Sequence, residues 1–131
     1  MTECQQREIV HLHQPPNSSI CGQVCIAMIC NISIDEACVI VGHRRATTGK
    51  ELHRALLKKG VFTSDTMERY SKYRGASSRC IARFRAPAIR ASHWVLIWDN
   101  RIYDPYPEPT GYKYISGFLR IYERKVKGYK T

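Results

Sequence analysis

Helical patterns occupy residues 21–60 of this 131-residue chain, and strand patterns follow them, an order that leaves few folds open. The predicted helices run from Cys21 to a left-handed cap at Asn31, from Ser33 to Gly42, and from Thr48 to Gly60. Apolar residues recur at helical spacing in the first, and the other two begin with capping boxes. The chain therefore begins with a helical part.

Strand segments are predicted in the second half at Cys80–Arg85, Trp94–Trp98, Ile102–Asp104 and Phe118–Tyr122. In the first of them, Ile81 and Arg83 are expected to share one face of the sheet. The second and third flank Asp99-Asn100, a dipeptide typical of two-residue hairpin turns. Helices followed by antiparallel strands indicate an α+β fold, and the length fits one domain over residues 1–131.

Composition argues against membrane-inserted and secreted proteins. The longest apolar run, Val24–Cys30, is far shorter than the roughly 20 residues that span a bilayer. No apolar stretch of signal-peptide length follows Met1, and six cysteines are too few for a disulfide scaffold of this size. We expect a cytoplasmic protein with free cysteines and no membrane insertion.

The net charge of +10 is concentrated in the middle of the chain. Residues 43–90 carry thirteen Lys and Arg against three Asp and Glu, whereas residues 1–42 are net acidic. A basic segment of this kind indicates an acidic substrate or partner, or nucleic acid, although it is also compatible with a plain solvated surface. Tyr70 and Tyr73 lie among the bases and could stack on single-stranded nucleic acid.

Cys21 is the candidate nucleophile because it begins the first predicted helix. Unpaired backbone N–H groups and the helix dipole at such a position favour the thiolate form of a cysteine. Gly22 follows it, and the missing side chain would let a substrate carbonyl approach those N–H groups. The other cysteines of this region and beyond are expected to be buried and inert: Cys25, Cys30, Cys38 and Cys80.

A candidate base comes from the predicted hairpin. If Asp99-Asn100 form a two-residue loop, Val95 lies opposite Asp104, and His93 becomes the diagonal neighbour of Asp104 on the same face. An imidazole and a carboxylate so placed can form the pair that orients a general base. Asp99 is expected to serve only the turn. His11 and His13 lie near Gln14 and compete for the base role, but we expect them to be surface or packing residues. His43 and His53 are expected to be surface residues or phosphate contacts.

Gln14 is the fourth candidate. A polar amide on the loop that leads into the nucleophile's helix can donate its N–H groups to a developing oxyanion. Gln14 lies seven residues before Cys21, across the Pro15-Pro16 loop.

Four motifs together resemble the papain-like cysteine peptidases. They are Gln14, Cys21-Gly22-Gln23-Val24-Cys25-Ile26-Ala27-Met28, Ser92-His93-Trp94 and Tyr103-Asp104-Pro105. The resemblance covers most of residues 11–105, with residues 61–80 and the C-terminal tail unmatched, and is nearest to the compact bacterial branch with the bacteriocin-leader, or double-glycine, peptidases. It implies a papain-like fold, with an N-terminal helical part packed on a small antiparallel sheet. That family usually places its glutamine six residues before the cysteine, one fewer than here.

The resemblance also implies roles for individual residues. Cys21 would be the nucleophile, His93 the general base and acid, and Asp104 the carboxylate that orients it. Gln14 would stabilise the oxyanion, and Gly22 and Trp94 would border the substrate. The expected activity is a thiol-dependent hydrolase that cleaves a peptide or isopeptide bond of a protein or peptide substrate through a thioester. The resemblance does not account for the basic segment, which separately favours an acidic substrate or partner.

Three alternatives remain open from the sequence. The same residues suit an acyltransferase or a deamidase. The second and third helices, joined by residues 43–47, resemble a helix-turn-helix and could bind nucleic acid through the basic segment. A metal site is the third alternative, but the chain has no Cys-x₂-Cys pair, so we expect no metal and no cofactor.

Overall fold

The structure is a computed structural model that describes residues 8–69, 77–86, 91–106 and 115–122. These residues form an α+β fold with the following elements: α1 Cys21–Cys30, α2 Ile34–Val41, α3 Gly49–Lys58, β1 Phe62–Thr63, β2 Arg79–Ala86, β3 Ala91–Trp98, β4 Arg101–Tyr103 and β5 Ile115–Tyr122. The α+β prediction is confirmed. Tyr70 and Tyr73, considered above as stacking residues, lie outside the described residues.

The helix boundaries follow the local signals in the sequence. Asn31 ends α1 in the left-handed conformation, with φ 56°, as predicted. The Ser33 hydroxyl accepts the Glu36 backbone N–H at the start of α2. At the start of α3, Thr48 and Glu51 form a full capping box. The helix ends at Lys58, slightly before the expected Gly60.

The strands form one antiparallel sheet in the order β1-β5-β2-β3-β4. Trp98 pairs with Arg101 across the β3–β4 hairpin, which confirms the predicted register. Asp99 and Asn100 both have positive φ values, 53° and 67°, as a two-residue turn requires. The short strand β1 was not predicted, because two residues are too few to show an alternating pattern.

The helix α1 lies in the centre of the fold. The sequence pattern predicted one apolar face, but all ten residues of α1 are buried, including Gln23. The reason is that α2 and α3 pack on it as well as β3. Within the described ranges, no single helix has the length and apolar composition to cross a membrane, and α1 with α2 reaches them only as a pair bent by 112°.

Two hydrophobic clusters lie on opposite faces of the sheet, as the alternation of side chains along strands requires. The larger cluster lies under the helices and includes Ile81, Leu96 and Leu119. The smaller one includes Ala82 and Val95. The active-site candidates described next lie where α1 meets β3 at the edge of the larger cluster.

Candidate active site

Cys21 is the first residue of α1 and borders a cleft of about 680 Å³. The preceding residue, Ile20, does not cap the helix, and the start of α1 has no side-chain cap hydrogen bond. The residues that line the cleft are Gln14, Asn17, Ser18, Ser19, Cys21, Ala46, Thr47, Thr48, Gly49, Arg83, His93, Trp94 and Tyr106. A volume of this size is typical of ligand-binding clefts. Because Cys21 is only 8% exposed, reagents can reach its sulfur only through the cleft.

His93 and Asp104 are in direct contact. The His93 Nε2 atom lies 2.6 Å from Asp104 Oδ1, and the Tyr106 backbone N–H donates to the same oxygen at 2.8 Å. The hairpin register therefore brings these two side chains together as the sequence predicted. Asp99, the alternative carboxylate, instead accepts a hydrogen bond from Arg79 Nε at 2.7 Å and serves the turn.

Cys21 lies on the other side of the His93 ring. The two side chains are hydrogen-bonded, and since Nε2 faces Asp104, the other ring nitrogen, Nδ1, is left for the sulfur. The Trp94 backbone N–H also points at Cys21 Sγ, at 3.4 Å. The structure thus aligns a thiol, an imidazole and a carboxylate in the order sulfur, ring, carboxylate.

The electrostatics of His93 follow from these partners. Burial by itself would lower the pKa of His93, but its hydrogen bonds to Asp104 and Cys21 raise the pKa to about 9. The imidazole therefore carries a proton at neutral pH. A protonated ring is therefore in contact with the Cys21 side chain.

The other described cysteines are buried away from the cleft. Cys25, one turn along α1, is completely buried, and burial raises the pKa of its thiol well above the ordinary value. Burial likewise raises the pKa of Cys80 to about 12 and raises that of Cys38. These thiols stay protonated and do not face the cleft, which confirms their predicted burial. Cys4 lies outside the described residues.

Gln14 lines the cleft, but its amide nitrogen is occupied. Nε2 donates to the Ser18 carbonyl at 2.7 Å and lies 3.2 Å from the Ser18 hydroxyl. The Pro15-Pro16 loop forms a turn, with Asn17 at φ 61°, and the contact of Gln14 with Ser18 closes that turn. Its Oε1 atom is buried and has no hydrogen-bond partner among the described residues.

Gly22 and Trp94, the two expected substrate-bordering residues, are both packed against Thr47. A Cβ atom at Gly22 would lie 2.1 Å from Thr47 Oγ1, and Gly22 itself does not line the cleft. The glycine is thus required by the close approach of Thr47, whereas the sequence suggested space for a substrate carbonyl. Trp94 does line the cleft, and its indole N–H donates to the Thr47 carbonyl at 3.0 Å.

The remaining histidines contact groups other than the Cys21 sulfur. His11 is exposed and contacts the backbone carbonyl of Asp104 at 2.7 Å, and His13 stacks beside it. His43 pairs with Glu51, and His53 with the Thr63 hydroxyl. His43 and His53 are both half-buried and bonded within the fold, so they are less exposed than expected, and contact with phosphate stays a prediction.

Among the cleft residues that sequence reasoning missed, two bear on the chemistry. Tyr106 packs its ring edge-on against His93, with centroids 5.8 Å apart, and its N–H holds Asp104. Its position two residues after the orienting carboxylate was the only available signal. Arg83 was read as part of the basic segment, and only the folded sheet shows that it lines the cleft.

No protein-family model matches the chain, and no curated protein matches it significantly. The likeness to papain-like peptidases therefore rests on the motif residues alone. Within the parts of the chain that the structure describes, no group of three His, Cys, Asp or Glu side chains is arranged to hold a metal ion.

Proposed function

We propose that this protein is a thiol-dependent acyl hydrolase of the papain-like type, a cysteine peptidase that cleaves a peptide or isopeptide bond. The observation that supports this most directly is the contact of His93 with both Cys21 and Asp104 at one end of a cleft. Nucleophilic catalysis by cysteine needs a thiolate, an adjacent acid–base group and a third group that orients it. These three side chains satisfy all three requirements.

The first half of the reaction forms a thioester. The Cys21 thiolate attacks the acyl carbon of the scissile bond, and the carbonyl oxygen becomes an oxyanion. The uncapped N–H groups at the start of α1 stabilise that oxyanion, and Gln14 assists when the substrate oxygen replaces its contact with Ser18. His93 then gives its proton to the leaving nitrogen, the carbon–nitrogen bond breaks, and the free amine departs.

The second half consumes water. Neutral His93 removes a proton from a water molecule, the resulting hydroxide attacks the thioester carbon, and Cys21 leaves as the thiolate. The products are a carboxylic acid, which releases its proton to solvent to become a carboxylate, and the regenerated thiolate–imidazolium pair. Asp104 keeps the imidazole oriented through both halves by its hydrogen bond to Nε2. An amine in place of water would give acyl transfer, and a side-chain amide as substrate would give deamidation.

The test combines labelling with a substrate panel. Iodoacetamide at pH 6, followed by peptide mapping, should alkylate Cys21 at least about tenfold faster than Cys25, since only a thiolate reacts readily. Fluorogenic peptides and ubiquitin-like substrates should be cleaved by the native protein, and Cys21→Ala should reduce kcat/KM at least about 1,000-fold.

Cys25→Ala is the matched control, because it removes a sulfur from the same helix and should leave kcat/KM within about threefold. Equal labelling of the two cysteines, or full activity of Cys21→Ala, would contradict the proposal. Mass analysis of the products separates the reactions: a free amine and a carboxylate indicate hydrolysis, and ammonia release indicates deamidation.

A further inference from the structure

Arg83 lies where the core-facing side of the sheet continues into the cleft. It follows Ile81 by two residues on β2, so both side chains are on the same face. Ile81 is completely buried beneath the helices, whereas Arg83 is half-buried and borders the cleft together with Cys21. The sheet therefore presents one guanidinium group to whatever occupies the cleft.

The side chain of Arg83 is held in place by Ser116 on β5. Arg83 Nε donates to Ser116 Oγ at 2.9 Å, and that hydroxyl donates to the Arg83 carbonyl at 3.0 Å. These bonds use Nε and leave Nη1 and Nη2 without a partner among the described residues. Positioning of this kind lowers the entropy lost when a ligand binds.

Two other arginines of the sheet differ from Arg83 because they have carboxylate partners. Arg79 binds Asp99 through Nε and Nη2, and Arg120 binds Glu68 in the same manner. Among the described residues, no Asp or Glu pairs with Arg83. A guanidinium that is half-buried with two unused donors is a natural site for an external carboxylate.

The charges that line the cleft point to the same ligand. In the described part of the chain, the lining includes no Asp or Glu. The Cys21 thiolate of the proposed mechanism balances the charge of protonated His93, so Arg83 gives the cleft a net positive charge, and such a charge attracts anionic ligands. The overall charge of +10 adds to this attraction at long range.

We propose that Arg83 binds a carboxylate side chain of the substrate, so that the protein prefers Asp or Glu beside the bond that Cys21 attacks. This specificity rests on the proposed hydrolase function. Nη1 and Nη2 donate two parallel hydrogen bonds to the two carboxylate oxygens. Glutamine at the same substrate position can accept only one such bond and brings no charge.

The experiment compares peptides that differ at a single position near the scissile bond, with Glu, Gln or Lys there. When the varied residue is at the substrate position that contacts Arg83, kcat/KM of the native protein should be at least about tenfold higher for the Glu peptide than for the Gln peptide. Arg83→Gln should reduce that ratio to about twofold or less, through KM more than kcat, and Arg83→Lys should restore part of it. Arg101→Gln is the matched control, because Arg101 is exposed and does not line the cleft.

A Glu preference that persists in Arg83→Gln, or the absence of any Glu preference, would overturn the proposal. If the native protein cleaves no peptide, the hydrolase proposal fails, and alkylation then tests Arg83 by itself. The probes are iodoacetate, an anion, and iodoacetamide, its neutral analogue, with the ratio of their rates measured at Cys21. Arg83→Gln should lower the ratio of the iodoacetate rate to the iodoacetamide rate several-fold. An unchanged ratio would reject the carboxylate site.

Discussion

The described residues include two imidazole–carboxylate pairs, His93 with Asp104 and His43 with Glu51. Both are half-buried or deeper, and both join a ring Nε2 atom to a carboxylate oxygen. As isolated pairs they have the same chemistry. Their surroundings give them different roles.

The second pair uses its polar atoms within the fold. The remaining nitrogen of His43, Nδ1, accepts the Arg45 backbone N–H at 3.1 Å, and the other oxygen of Glu51 accepts the Thr48 N–H at the start of α3. In the first pair, the remaining nitrogen faces Cys21 and the cleft. An imidazole–carboxylate pair therefore indicates a site only when a nucleophile and space for a substrate accompany it.

The largest expected effect is on activity, from removal of each histidine. His93→Ala should reduce kcat at least about 1,000-fold, because it removes the group that protonates the leaving amine. His43→Ala should keep kcat within about threefold, since His43 does not line the cleft. Fluorogenic peptide kinetics on both variants measure the difference. Equal losses in the two variants would show that the comparison is wrong.

A smaller effect is expected from the carboxylates. Asp104→Asn should lower kcat at pH 7 by about 10- to 100-fold, because the His93 imidazole would be misoriented and less basic.

The pH dependence of activity distinguishes Asp104 from Glu51. Activity of the native protein should fall as pH rises through about 9, where His93 loses its proton. Because the bond to Asp104 raises the pKa of His93, Asp104→Asn should move this alkaline limb to lower pH, whereas Glu51→Gln should leave it unchanged.

The smallest effect is on stability, and the two pairs should act at opposite ends of the pH range. The pKa of His93 is raised, so its contribution is complete below pH 6.5 and is lost as pH rises through about 9. The Thr48 backbone N–H and the bond with His43 lower the pKa of Glu51, so its contribution is present above pH 4.5 and is lost as pH falls further.

Urea unfolding between pH 3 and 10 measures both contributions. Glu51→Gln should cost about 0.5 kcal/mol near neutral pH, the usual value of a charge at a helix N-terminus, and should flatten the acid side of the profile. Asp104→Asn should flatten the alkaline side. A Glu51→Gln variant that alters only the alkaline side would contradict the assignment.

Much of the fold could be predicted because its signals are local. Asn31, Thr48 with Glu51, and Asp99-Asn100 each act through hydrogen bonds or backbone conformations within a few residues, so the chain displays them in order. The register of the β3–β4 hairpin followed from its two-residue turn, and that register brings His93 into contact with Asp104. The strand β1 carried no such pattern.

The sequence by itself thus determined the three helices, the hairpin and the cysteine, histidine and aspartate that meet. Only the tertiary structure decided which neighbours those groups have. Thr47 fills the space beside Gly22, Ser18 occupies the amide of Gln14, and Arg83 reaches the cleft instead of the solvent. These contacts join residues whose side chains meet through packing of separate segments or through an irregular turn. Helical or strand periodicity does not encode such contacts.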